Sequence, residues 1–297
     1  MLQKSMRAKK RVVALYLLVP LIVYVFSVFV PLITAFVDSF FEWKGGPQKT
    51  FNGIQNYITL FQDTTFWQSF WHNIYLVAIC IVGQIGIAFI FVLMIDSKLV
   101  KLKGMHRTFG FFPSTISAVC VGFIWKMIYD YNRGILNWFL KLIGHADAAK
   151  VWLNEPDKVM LLVSIPLIWQ YIGYYMVILL SGIASIDKEI FESAEIDGAN
   201  FFQKIWHVTF PTLKALIIIN FVGAFIASAQ SGGMILIMTF GRANTEVAEL
   251  HIFKEAYTNL QFGSAISMAW VLGMMTLMFT IYNLKRLSKM EFKTTGK

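Results

Sequence analysis

Long uncharged runs alternate with short polar ones along this chain. Residues 12–37 carry no charged side chain over 26 positions, and residues 70–95 form a second run whose only interruption before its end is His72. Further apolar runs cover 108–125, 159–186, 215–241 and 264–284. An apolar helix of about 20 residues crosses the hydrocarbon core of a bilayer. The pattern therefore predicts an all-α membrane protein with six transmembrane helices. The first run is too long for a secretory leader and lacks a small-residue cleavage site after it, so it is read as span one. The organisation expected is a short tail (1–11), a six-span domain (12–284) and a second tail (285–297).

An even number of spans puts both tails on one side, and the basic residues choose that side. Placing residues 1–11, 96–107, 187–214 and 285–297 in the cytoplasm puts 17 of the 26 Lys and Arg there. The opposite loops then hold 10 of the 17 acids and stay near neutral. The positive-inside rule so predicts an N-in, C-in topology. The cluster Lys98, Lys101, Lys103 and Arg107 agrees with it.

Composition sharpens this picture. Hydrophobic residues make up 57% of the chain and charged residues 14%, which excludes a disordered chain and a disulfide-stapled secreted domain. Cys80 and Cys120 both lie inside apolar runs, and no clustered set of metal ligands is present. A net charge of +9 on a soluble domain would point to nucleic acid. Here the cations flank apolar runs, so no nucleic-acid partner is expected and membrane lipid is.

One polar segment differs from a plain connector. Residues 187–214 read DKEIFESAEIDGANFFQKIWHVTFPTLK. Asp187 is placed to cap a first short helix. Gly198 can take the left-handed conformation that ends it. Asn200 with Gln203 three residues later has the form of a capping box for a second helix. Phe201, Phe202, Ile205, Trp206 and Val208 give that helix an apolar face, and Pro211 is expected to stop or kink the chain before span five. The product is a helix–turn–helix on the membrane surface. It fits either an interfacial helix packed on its own bundle and lipid, or a docking element for a soluble partner.

The order Glu192-Ser193-Ala194, three residues, Gly198, nine residues, Val208-Thr209-Phe210-Pro211 resembles the EAA loop of permease subunits of ABC importers. Ser193, Val208 and Phe210 are mild departures from the usual Ala, Ile and Leu. Flanking stretches resemble the carbohydrate-uptake branch (maltose and multiple-sugar type). These are Pro31 to Trp43, the segment Phe51-Asn52-Gly53-Ile54-Gln55-Asn56-Tyr57, Phe111-Phe112-Pro113 through Trp125, and Phe262-Gly263-Ser264-Ala265. The resemblance spans nearly the whole chain. It departs outside span five, where Phe240-Gly241-Arg242-Ala243-Asn244 stands in place of a Gly-Gly-Gly-Pro turn.

The resemblance implies a transmembrane subunit of an ATP-driven importer, forming half of a path for a sugar or oligosaccharide. It implies a second, non-identical permease, two ATPase subunits and an extracytoplasmic binding protein, in a bacterial cytoplasmic membrane. Residues 187–211 would be the coupling helix that sits in a cleft of an ATPase. Glu192 would meet a basic group, the small Ala194 beside Ser193 of the same coupling set would permit close approach, and Gly198 would supply the turn. Phe201, Phe202 and Trp206 would be apolar anchors, and Pro211 would set the exit angle. Asp197 and Lys204 fit contact and solvated charge equally. The chain itself carries no Gly-x4-Gly-Lys-Ser/Thr loop, so no cofactor is expected on it, and ATP and Mg would belong to partner subunits.

A sugar path needs hydrogen-bonding groups inside the bundle. Gln170 and Tyr174, spaced i and i+4 in span four, and Asn220 and Gln230 in span five are the candidates. Each fits the path and interhelical bonding equally. Three other classes are weighed. An ABC permease for a non-sugar solute differs only in the flanking segments. An ion-coupled carrier is disfavoured because spans one, three and five have no acid in their apolar interiors. An intramembrane enzyme is disfavoured because no His–Asp or paired-acid set occurs within the spans.

Overall fold

The structure is a computed structural model and describes residues 10–96 and 100–295. Lys98 of the basic cluster, most of the tail 1–11, and residues 296–297 lie outside the described residues. Among the described residues, five helices are long and apolar enough to cross a membrane, or six when one sharply bent pair counts as a single span. They are α1 (Val12–Asp38), α3 (Thr64–Asp96), α7 (Val159–Ala184), α9 (Phe201–Ala229) and α12 (Phe262–Thr295). Helix α12 runs on past 284, so the expected tail 285–297 is helical as far as Thr295.

The chain divides into two units. The first comprises residues 1–63 and 252–272. Its polar part is a small knot after α1. Strands β1 (Phe41–Glu42) and β2 (Thr50–Phe51) pair antiparallel, followed by α2 (Gln55–Gln62). Asn56 ties the knot: its Nδ2 donates to the carbonyls of Ser39 and Phe41 at 2.8 and 2.9 Å. Tyr57 Oη lies 2.7 Å from Ser39 Oγ. Gly263 sits where any Cβ would come within 2.0 Å of the Phe41 carbonyl oxygen. The motif residues Asn56, Tyr57 and Gly263 thus have a shared structural reason.

The second unit comprises residues 64–251 and 273–297. Its centre is α3, α7 and α9, packed on one another. Leu76, Cys80, Val163, Met234 and Ile235 anchor one apolar cluster, and Ala88, Val92, Met176, Leu179 and Leu213 a second. Phe225 and Phe279 stack at 3.9 Å, which seats the later part of α12 on α9. Helix α10 (Gly232–Met238) supplies Met234 and Ile235 to the first cluster, and α11 (Ala248–Tyr257) supplies Leu250; the remaining short helices are α6 (Ile135–Leu142) and α8 (Lys188–Ile196).

Three expectations about the spans need correction. The run 108–125 is not one straight helix. It divides into α4 (Lys103–Phe111), continued by a 3₁₀ turn to Thr115, and α5 (Ala118–Ile128), with a bend of 99° between them. Pro113 opens the 3₁₀ turn. Ser114 and Thr115 then turn their hydroxyls back to the carbonyls of Phe111 and Phe112, both at 2.7 Å, and Ile116 is extended. Side chains that bond their own backbone compete with the helix ladder, and proline cannot donate to it.

The run 215–241 is also not one helix. Helix α9 ends at Ala229, and α10 starts afresh at Gly232. At its other end α9 reaches back to Phe201, so Pro211 neither stops the chain nor starts the span. A π-turn over Ile205–Thr209 precedes it, in which the Phe210 N–H reaches five residues back to Ile205. The same device precedes Pro31, where Val30 donates to Val25 across the π-turn Val25–Phe29. A wider turn shifts the ladder so that the missing proline donor is accommodated without breaking the helix.

Candidate functional site

The polar segment folds as its local chemistry requires. Helix α8 covers Lys188–Ile196, and Asp187 occupies its N-cap position without a side-chain cap bond, contrary to expectation. Gly198 adopts φ +76°, and the Ala199 N–H closes the turn on the Ala194 carbonyl at 2.9 Å. Left-handed backbone costs an L-residue roughly 1–2 kcal/mol, which is why glycine stands there. The capping box is complete: Asn200 Oδ1 accepts from Gln203 N at 2.9 Å, and Gln203 Oε1 accepts from Asn200 N at 2.8 Å.

This geometry leaves the apolar anchors uncovered. Phe201, Phe202 and Trp206 are 54%, 70% and 62% exposed. Glu192, Ser193 and Asp197 are exposed as well, while Ala194 is half-buried. Lys204 Nζ pairs with Glu195 Oε1 at 2.8 Å, tying the second short helix to the first. Sequence reasoning missed this pair, although the opposite charges nine residues apart across a glycine turn carried the signal.

The four candidates for an inner path separate. Gln170 is 1% exposed, and its Nε2 donates to the Ile116 carbonyl at 2.8 Å. It therefore holds a carbonyl at the break between α4 and α5. Tyr174, one turn along, is 44% exposed and does not share that buried setting. Asn220 is 2% exposed, yet neither its Oδ1 nor its Nδ2 has a partner within the chain. Gln230 is exposed at the end of α9.

Two further features escaped the sequence reading. Gln84 on α3 donates to the Leu167 carbonyl at 3.0 Å but leaves its Oε1 unpaired, as Gln170 does. The break itself exposes Thr115 and Ser117. Helix α4 reaches it in the middle of α7, where Gly173 abuts Gly110: a Cβ on Gly173 would lie 1.8 Å from the Gly110 carbonyl oxygen. Unwound backbone at membrane depth is tolerated where it is buried in protein or lines a cavity. Pro113 followed by Ser-Thr-Ile-Ser inside an apolar run was the available signal.

On the polar turn after α10, Phe240, Ala243 and Asn244 all take positive φ, as does Gly241. Thr239 and Thr245 hydroxyls, 2.6 Å apart, hold the turn, and Thr245 also donates to the Arg242 carbonyl. The turn is thus made by Gly241 together with three non-glycine residues in the left-handed region.

Residues 97–288 match the family described as binding-protein-dependent transport system inner membrane component. The chain belongs to that family. Over 97% of its length it is 30% identical to the probable ABC transporter permease YurN of Bacillus subtilis, covering 98% of that protein. It is 29% identical to the multiple sugar-binding transport system permease MsmF of Streptococcus mutans, over 93% of this chain and 95% of that one. Among solved structures, a bacterial ABC transporter involved in import of the acidic polysaccharide alginate superposes with a TM-score of 0.83 at 19% identity. That superposition covers 94% of this chain and 95% of the other, and it shows the fold. The resemblance to ABC-importer permeases is therefore met, and the permease is a helical inner-membrane component with five or six spans.

Proposed function

We propose that this permease forms half of the translocation path of an ATP-driven importer for a sugar or oligosaccharide. An extracytoplasmic binding protein delivers the substrate, a second permease completes the path, and two ATPase subunits hold the ATP and Mg. Both termini face the cytoplasm of a bacterial cell, and residues 187–211 couple the bundle to an ATPase. The observation that carries this reading is the exposed set Phe201, Phe202 and Trp206 on a rigidly capped turn outside the hydrophobic runs. Aromatic side chains of this kind supply most of the energy where they enter a partner's pocket. Glu192 adds a charge for a basic group, and Gly198 holds the two short helices at their angle.

Closure of the ATPases on ATP would drag this turn and switch the bundle between two packed states. The carbohydrate assignment is supported by the flanking motifs and by the names of the relatives. The unpaired amide oxygens of Gln84 and Gln170 and the unpartnered amide of Asn220, with the hydroxyls at the break, are suited to bonding sugar hydroxyls. The test is ATP hydrolysis by the assembled importer with its binding protein and a panel of oligosaccharides. Stimulation by a sugar-loaded binding protein is expected. Stimulation only by a peptide, phosphate or osmolyte would assign the permease to a different solute.

A further inference from the structure

Two apolar slots flank α4 in the second unit. One, of about 420 Å³, is walled by Phe91 and Met94 of α3, Met105, His106 and Phe109 of α4, and Met176 of α7. The other, of about 490 Å³, is walled by Phe111, Phe112 and Val177, with Arg107 along it. Both are open on one side: Met94, Met105 and Phe109 of the first and Phe112 of the second are more than half exposed. Lys101 is exposed just before α4, and no acidic residue occurs between positions 97 and 129.

From this arrangement we infer that α4 is the seat of an anionic phospholipid whose two acyl chains lie in the two slots. Hydrocarbon walls open on one side suit an acyl chain and not water. The thioethers of Met94, Met105 and Met176 adapt to a chain of irregular conformation. Arg107 offers a planar fork to phosphate oxygens, and Lys101 a point charge. With neither Lys101 nor Arg107 in an ion pair among the described residues, the site discriminates by head-group charge. Only the naming of the leaflet, the cytoplasmic one, rests on the orientation proposed above. The basic residues have a second possible reason, the setting of topology, and the experiment separates the two.

The assembled importer, purified in detergent and washed of loose lipid, is equilibrated with equal phosphatidylglycerol and phosphatidylethanolamine. Bound lipid is counted by native mass spectrometry. Phosphatidylglycerol is expected to be retained in preference. Lys101→Gln and Arg107→Gln should each lower its retention about fivefold, the effect of one surface charge. Met105→Trp, which fills a slot, should lose both lipids while the complex stays assembled. Equal retention of the two lipids overturns the inference, as does a preference unchanged in the Lys101→Gln/Arg107→Gln variant. A cross-link from Met105→Cys into the second permease would also overturn it, by showing protein in the slot. ATP hydrolysis measured on the same samples keeps any such failure distinct from failure of the importer assignment.

Discussion

The turn at Gly198 and the bundle interior invert the usual order of a folded chain in opposite ways. At the turn, three large aromatic side chains stand in the open on a helix whose capping box is complete. In the bundle, Gln84, Gln170 and Asn220 are nearly sealed from solvent with polar atoms unpaired. Exposed apolar area and buried unsatisfied amides both cost free energy in the isolated chain. Each is therefore read as a surface awaiting something: a protein pocket in one case, hydroxyl-bearing molecules in the other. The comparison separates residues that hold the fold from residues that wait for a partner, and it can be tested one side at a time.

The largest effect should come from breaking the bundle where it has no slack. Gly173→Val would drive a side chain into the Gly110 carbonyl and force α4 away from α7. A loss of about 3 kcal/mol or more is expected from overpacking of this kind. Thermal melts of the purified importer should show it, together with poor assembly.

The aromatic side comes next. Phe202→Ala with Trp206→Ala should weaken ATPase retention by about 2 kcal/mol or more, roughly 30-fold. The melting temperature of the permease alone should not fall, because these rings are exposed. A fall in the melt without a fall in retention would show them to be packed on their own chain or in lipid.

Asn220→Leu should sharpen the contrast. Replacing an unpaired buried amide with an apolar group of similar size is expected to be neutral or to stabilise by about 1 kcal/mol. Uptake should nevertheless drop. Lower stability with unchanged uptake would make Asn220 interhelical glue.

The smallest effect concerns Glu249 on α11, which accepts the Gly232 N–H at 2.7 Å. Burial raises its carboxyl above the ordinary range, and that hydrogen bond offsets part of the rise. The folded pKa therefore exceeds the unfolded one. Its contribution to stability is present at pH below the unfolded carboxylate value and is lost as pH rises through the raised folded value. Melts of Glu249→Gln against pH should lack this dependence and otherwise parallel the parent.

The fold of the turn at Gly198 was legible in the sequence because its determinants are local. Gly198, Asn200 and Gln203 each act within four residues, so composition and spacing suffice. The hydropathy runs likewise placed most spans, since burial in lipid depends on composition over a window. The break between α4 and α5 was not read, because hydropathy is blind to backbone direction and the run stays apolar through it. The contacts that steady it, Gly110 on Gly173 and Gln170 on Ile116, join residues more than 50 positions apart and exist only in the fold. Pro211 misled for a related reason. A proline within a helix signals a stop, yet a π-turn just before it lets the helix continue.

The central claim is that residues 187–211 join this permease to an ATPase. Its most direct test is Glu192→Lys, with permease in the membrane, ATPase pulled down with it, and substrate uptake all measured in the same cells. The account predicts that ATPase retention and uptake fall together while membrane levels hold. Retention and uptake both at parental levels would contradict it and make the segment a helix lying on lipid.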